Sequence, residues 1–221
     1  MVKQPIDQFK VLGLHFHVPL AEDGNPTKQR IVLAATELFA KYGYSAVSVR
    51  DISENIGLTA AALYNHFRSK EELWRTIIEQ AKSLYHIYLQ RLQELCNEAQ
   101  TFEEILDLVF AEPVRMGNTF TNYAFSIVIT EQFRDQEAGE VFRRVFLEES
   151  IKCLDSLFAA AVNKGLAKAF DTRLVATLIM NSVIVGIAVN FQVMLGRGAP
   201  YNVGKTLTRL KGFVAELGRL D

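Results

Sequence analysis

Polar side chains cluster on a short segment in the first third of the chain, just after a glycine turn. Tyr64, Asn65 and His66 follow one another there. Leu63 and Phe67, four residues apart, would share one face of a helix and point into a core. The polar groups would then lie outside, where an α-helix in the major groove of DNA meets base edges. The pattern therefore predicts a nucleic-acid contact.

Two short helices joined by a glycine turn are predicted to position this segment. Ser48 is a good N-cap for the first of them, Gly57 can end it, and Thr59 can cap the second. A preceding helix is predicted to begin near Pro26 and to end at Gly43. The three helices together make a helix-turn-helix arrangement.

The charge pattern restricts any DNA contact to this part of the chain. The whole chain has a net charge of −1, whereas residues 25–70 hold six Lys and Arg against three Asp and Glu. A protein that packs nucleic acid through positive charge over its whole surface is therefore excluded.

The residues expected to contact DNA lie at helix starts and on the second short helix. Lys70, at the start of a long helix, and the hydroxyl of Ser48 are expected to meet phosphates. Arg50 suits either a phosphate or a salt bridge with Glu54, four residues on. The alternative is a small helical cap in which Tyr64 and His66 merely cover apolar neighbours. The full predicted set is Ser48, Arg50, Thr59, Ala60, Ala61, Tyr64, Asn65, His66 and Lys70.

Helical spacing continues to the C-terminus, so the predicted fold class is all-α. Ser69 and Glu72 form a capping box that opens the long helix, which is predicted to run to about Cys96. Tyr42 and Phe133 are assigned to the apolar interior. Further helices are predicted over 118–133, 138–163, 172–195 and 202–219. The predicted domains are a flexible N-terminal arm (1–24), a helix-turn-helix domain (25–70) and a larger helical domain for ligand binding and dimerisation (71–221).

Two segments suggest other functions and have simpler interpretations. His15 and His17 in the arm have no further ligand nearby, so no metal site and no cofactor are predicted. The segment Leu174–Leu195 has no charged residue and is long enough to cross a membrane. Its polar residues, Asn181 and Asn190 among them, favour a buried helix or a subunit interface, and no membrane contact is expected.

The head of the chain, which is the predicted helix-turn-helix domain (25–70), resembles a known family of DNA-binding proteins. The stretches Ile31–Tyr44, Ser48–Thr59 and Leu63–Leu73 resemble the TetR family of bacterial regulators. The resemblance implies a homodimer that binds palindromic double-stranded operator DNA and is released by a small molecule in the C-terminal bundle. It also implies that the dimer forms through the helices over 138–163 and 172–195.

One feature departs from the family pattern. Family members often carry longer polar or basic groups where Ala60 and Ala61 stand. Methyl contacts with thymine are the most that these two residues offer. Sequence recognition would then depend on Thr59, Tyr64 and Asn65, and on DNA shape.

Residues in the larger part are candidates for holding a small apolar or aromatic effector, although core packing explains the same residue types. They are Phe102, Phe110, Met116, Asn122, Tyr123, Met180 and Asn181.

Two rival functions are an enzyme and a DNA-binding protein without an effector. No Ser-His-Asp, metal or nucleotide-binding spacing is found, so an enzyme is not expected. A DNA-binding structural protein or an activator with the same head and no effector stays open beside the ligand-responsive repressor. Cys96 and Cys153 have no partner at metal-ligand spacing and suit a reducing cytoplasm.

Overall fold

The computed structural model describes residues 8–11, 14–17, 25–111, 119–194 and 202–220. Apart from one hairpin, the regular secondary structure of the described residues is helical, which confirms the predicted all-α class. In chain order the elements are β1 (Gln8–Val11), β2 (Leu14–His17), α1 (Pro26–Tyr42), α2 (Val49–Asn55), α3 (Ala60–Tyr64), α4 (Lys70–Glu98), α5 (Phe102–Ala111), α6 (Thr119–Glu131), α7 (Gln136–Glu140), a π-helical segment (Val141–Glu149), α8 (Ser150–Asn163), α9 (Thr172–Met194) and α10 (Val203–Leu217).

A hairpin lies within the predicted flexible arm (1–24), and the flexibility of the arm stays a prediction. β1 and β2 pair antiparallel, with Phe9 opposite Phe16 and Val11 opposite Leu14. Apolar and polar residues alternate along both strands in the sequence, which is the period of a β-strand. The prediction of a flexible arm did not take this alternation into account.

The chain divides into two compact units. The first comprises residues 1–84 and 117–142, and the second comprises residues 85–116 and 143–221. The boundary between the two compact units therefore lies within α4, whereas the predicted domain boundary lies at residue 70. The functional boundary at residue 70 stays a prediction.

The first unit is built on α1, which packs against α2 and α6. Apolar residues that the helical spacing indicated form much of its interior, and Ile31, Ala35, Ile52 and Leu63 are completely buried. Two residues assigned to the interior are exposed instead. Tyr42 lies in the last turn of α1, and Phe133, in the turn that follows α6, is 87% exposed. Helical periodicity does not extend to residues at or beyond a helix end.

In the second unit, α8 and α10 both pack against α9, and α10 also packs against α5. The rings of Phe102, Phe158 and Phe170 contact one another near the end of α10. The helix predicted over 138–163 is divided into α7, the π-helical segment and α8. The hydroxyl of Ser150 donates to the carbonyl of Val145, five residues back, at 3.3 Å.

One helix of the described residues has the length and apolar composition of a membrane span. It lies within α9, over Thr172–Val189, with a mean hydropathy of 1.8, and a third of that window is buried.

Gly218, which follows α10, provides a test of how tightly the aromatic cluster is packed. A Cβ at this position would lie 2.4 Å from the ring of Phe102, which is itself buried. We expect Gly218→Ala to lower the free energy of unfolding by about 1–3 kcal/mol, because the buried ring of Phe102 would have to shift away from the new methyl group. Chemical denaturation would measure this. The penalty should shrink in a Phe102→Leu background, and an equal penalty in both backgrounds would contradict the packing described here.

Candidate nucleic-acid interface

The start of α2 is fixed by a capping box around Ser48. The Ser48 Oγ accepts a hydrogen bond from the Asp51 N–H at 3.2 Å, and the Ser48 N–H donates to the Asp51 carboxylate at 2.7 Å. The Ser48 hydroxyl also donates to that carboxylate, at 2.6 Å. These bonds, that of the hydroxyl first, lower the pKa of Asp51. The contribution to stability is therefore present at neutral pH and is lost as the pH falls through the lowered pKa.

The turn between α2 and α3 is set by a glycine and by a contact from α1. Gly57 has a φ of +70°, in the left-handed region that favours glycine. The guanidinium of Arg30 donates to the carbonyl of Ile56 at 2.8 Å. Sequence analysis counted Arg30 only as a charge, because a bond to a carbonyl 26 residues away leaves no local pattern.

α3 presents one buried and one exposed side. Thr59 caps it by accepting a hydrogen bond from the Ala62 N–H at 3.1 Å. Leu63 is fully buried, and Phe67, just beyond the helix, is 5% exposed. Tyr64 is 51% exposed. Of the other residues expected to contact DNA here, Ala61 and Asn65 are exposed, and Ala60 and His66 are half-buried.

Lys70 lies where it was expected, at the first residue of α4, but its ammonium is bound within the protein. It donates to the carbonyls of Tyr44 and Val47, both at 3.0 Å. It also lies 4.2 Å from the centre of the Tyr44 ring. The residue expected to contact a phosphate thus holds the loop between α1 and α2.

Arg50 forms the salt bridge with Glu54 that was one of the two contacts predicted for it. Its Nε lies 2.8 Å from Oε1 of Glu54, and both side chains are mostly exposed. An exposed pair of this kind contributes little to stability. It does place a carboxylate beside a cation on the surface of the head.

The candidate effector residues fall in different parts of the structure. Phe102, Phe110 and Met180 are buried in the second unit, and Asn181 is exposed there. Tyr123 is buried in the first unit. Met116 and the side chain of Asn122 lie outside the described residues. The role of all seven as ligand contacts stays a prediction.

The described part of the chain also contains side chains of metal-ligating types and two free thiols. Within residues 25–111, 119–194 and 202–220, no three His, Cys, Asp or Glu residues are placed to hold a metal ion. Burial raises the pKa of Cys96 to about 12 and that of Cys153 to about 11, which keeps both thiols protonated.

Comparison with known proteins identifies the N-terminal segment. The profile of the bacterial regulatory proteins of the tetR family matches residues 31–77, which run from α1 into the first turns of α4. The helix-turn-helix segment of this chain is therefore a TetR-family domain.

TetR-family likeness extends to individual regulators. YerO of Bacillus subtilis, an uncharacterised regulator, is 26% identical over 184 residues, covering 78% of this chain and 58% of YerO. IcaR of Staphylococcus epidermidis, a negative regulator of a biofilm operon, is 33% identical over 64 residues, 29% of this chain and 35% of IcaR. These matches span little more than half of one relative and about a third of the other. Both relatives are transcriptional regulators and not enzymes.

A solved structure shares the fold of this chain over most of its length. It is a regulator from Saccharomonospora viridis in complex with choline, with a TM-score of 0.63 and 19% identity. The likeness covers 85% of this chain and 95% of that one. At this identity the likeness concerns the fold alone.

The ion pair on α2 leads to a test. We expect Glu54→Gln to strengthen DNA binding, because it removes a carboxylate from the head and leaves Arg50 free for a phosphate. The slope of log affinity against log salt should become steeper by up to about one. Fluorescence anisotropy with labelled duplexes would measure both. The double variant Arg50→Ala/Glu54→Gln should lose the change in slope, and an unaltered slope in Glu54→Gln alone would show that Arg50 stays away from DNA.

Proposed function

We propose that this chain is a DNA-binding transcriptional regulator, a repressor, that reads operator DNA with α3. The observation that carries the proposal is the orientation of α3. Leu63 and Phe67 anchor it to the core of the head, and Tyr64, Asn65 and Ala61 stand on its exposed side. A helix held in this way can enter a major groove without losing its own packing.

Repression is favoured by likeness to a negative regulator. IcaR carries that description, and the segment it shares with this chain is about a third of its own length. Regulators of this kind act in the cytoplasm, where the DNA is.

We further propose that the protein acts as a homodimer through α9 and α10. Large apolar side chains are exposed along both helices: Leu174, Leu178, Val185 and Val189 on α9, and Phe213 and Leu217 on α10. The N-terminal part of α9 and the C-terminal part of α10 border a groove of about 910 Å³. No large apolar side chain described within 138–163 is exposed to this degree. This distribution favours residues 203–217 over 138–163 as the second helix of the interface.

The apolar composition of α9 has a physical explanation in this proposal. One side of the helix packs on α8 and α10, and the other would pack on the second subunit. An exposed apolar patch rimmed by polar residues marks an interaction site in many proteins. A helix that is apolar on most of its circumference is therefore expected at this place.

A small-molecule effector is the last part of the proposal. The structural neighbour bound to choline shows that a chain of this fold can hold a small molecule. The second candidate is the same DNA-binding regulator without an effector, or an activator. Thermal-shift screening with small molecules, read beside release from operator DNA, separates the two candidates.

Asn65 provides the test of sequence recognition. We expect Asn65→Ala to change the sequences that the protein selects from a pool of random duplexes. The loss of discrimination at the affected position should be about 1–3 kcal/mol, because one base contact would be removed. Asn97→Ala, an exposed asparagine near the end of α4, is the matched control and should select as the wild type does. Identical selection by Asn65→Ala and the wild type would contradict the role of α3.

Charge introduced on the apolar face tests the dimer. Phe213 is 52% exposed, and we expect Phe213→Glu to give a monomer at micromolar concentration, because dimerisation would bury an unpaired carboxylate. Light scattering after size-exclusion chromatography would measure the mass. Ser156→Glu, on an exposed position of α8, is the matched control and should remain dimeric. A dimeric Phe213→Glu together with a monomeric Ser156→Glu would place the interface at residues 138–163 instead. A monomeric wild type would refute the dimer.

A further inference from the structure

The turn between α3 and α4 carries a second cation, Arg68, two residues before Lys70. It lies between Phe67, which is buried in the core of the head, and Ser69, whose hydroxyl accepts the Glu72 N–H at 3.1 Å. The backbone N–H of Arg68 itself donates to the Glu72 carboxylate at 2.6 Å. The backbone of this residue is therefore held on both sides, while its side chain is exposed.

The cations of the head differ in how they are bound. Arg50 and Lys41 are paired with carboxylates, and Arg30 and Lys70 donate to carbonyls. Lys28 also has a partner. Within the described residues 25–70, Arg68 is the one cation for whose side chain the structure shows no hydrogen bond or ion pair. A phosphate would therefore meet the guanidinium of Arg68 with no internal bond to break.

The contacts of Lys70 point to a different use. An ammonium has three N–H donors, and the carbonyls of Tyr44 and Val47 take two of them. The ring of Tyr44 lies against the same charge. Moving the ammonium to a phosphate would leave these carbonyls without their donor. Val47 precedes Ser48, the N-cap of α2, so the position of α2 depends on this contact.

We propose that Arg68 supplies the phosphate contact at the start of α4, and that Lys70 is a positioning residue that holds the loop between α1 and α2. The inference rests on the proposed binding of DNA. A guanidinium suits the role because it can donate two parallel hydrogen bonds to a phosphate. Lys70 then acts on DNA binding only through the placement of α2.

The experiment measures the affinity of the full-length protein for short duplexes of random sequence over a range of salt concentrations. Such duplexes need no known operator, because the phosphate contribution does not depend on sequence. The variants are Arg68→Ala, Arg68→Lys and Lys70→Met, which keeps most of the lysine stem. Arg75→Ala is the matched control, because it removes one positive charge that is paired with Glu71 on the same helix.

We expect Arg68→Ala to lower the salt slope by about 0.9 with an unchanged melting temperature. Arg68→Lys should keep the salt slope, because the positive charge stays. It should bind DNA more weakly, because the bidentate contact with the phosphate is lost. Lys70→Met should lower the melting temperature and reduce affinity at every salt concentration, with the slope unchanged. Arg75→Ala should match the wild type in slope.

Two results would overturn the assignment. One is an unchanged slope in Arg68→Ala, and the other is a lowered slope with an unchanged melting temperature in Lys70→Met. Failure of the proposed function would look different, because the wild type itself would then bind no duplex at low salt. The melting temperature of Lys70→Met tests the positioning role without DNA.

Discussion

Burial of Leu63 and Phe67 in the core of the head is the constraint on which the proposed function depends. α3 has five residues, and a helix of that length has no stability of its own in water. Its direction is set by these two anchors, by the cap at Thr59 and by the turn at Gly57. Once the apolar side is inserted, Tyr64 and Asn65 can only face outward. The surface offered to DNA is therefore a consequence of packing on the opposite side of the same helix.

The positive charges of the head are also constrained by the packing of the fold. Most of its cations are already bound, to carboxylates on the surface or to carbonyls within the fold. Lys70 and Arg30 brace the two loops that flank α2, so part of the positive charge of the head stabilises its own backbone. The charge left for phosphates is smaller than the composition of residues 25–70 indicates. Binding to DNA would then depend on a few placed contacts and not on a general attraction.

The larger part of the chain shows how one helix can look like a membrane span. α9 is apolar on the side that packs on its neighbours and also on the side that stays exposed in the single chain. Hydropathy sums both sides and cannot distinguish a lipid surface from a subunit interface. The presence of further exposed apolar side chains on α10, beside those on α9, favours the interface. The two helices would form one continuous apolar face against a second copy.

Much of the fold could be predicted from local patterns. Caps and glycines placed the starts of α1, α2 and α3 and the end of α1, because a cap satisfies backbone groups of its own helix and needs no distant partner. The π-helical segment was not predicted. It is followed by Ser150, whose hydroxyl is bonded to Val145 and to the distant Tyr85, and a tertiary contact of this kind leaves no local pattern in the sequence. The hairpin was missed for another reason, since its alternation is present in the sequence and was not used.

In the candidate site, too, some features follow from the local sequence and others only from the tertiary structure. By itself the sequence determined the helix-turn-helix arrangement, the inward side of α3 and the match of residues 31–77 to the TetR family, since these depend on spacing along one chain. Only the tertiary structure decided what Lys70, Arg30 and Arg50 bond to. A long cationic side chain can reach partners many residues away, and Lys70 bonds to carbonyls 23 and 26 residues back. Its choice among a phosphate, a carboxylate and a carbonyl depends on which of them the fold brings within reach.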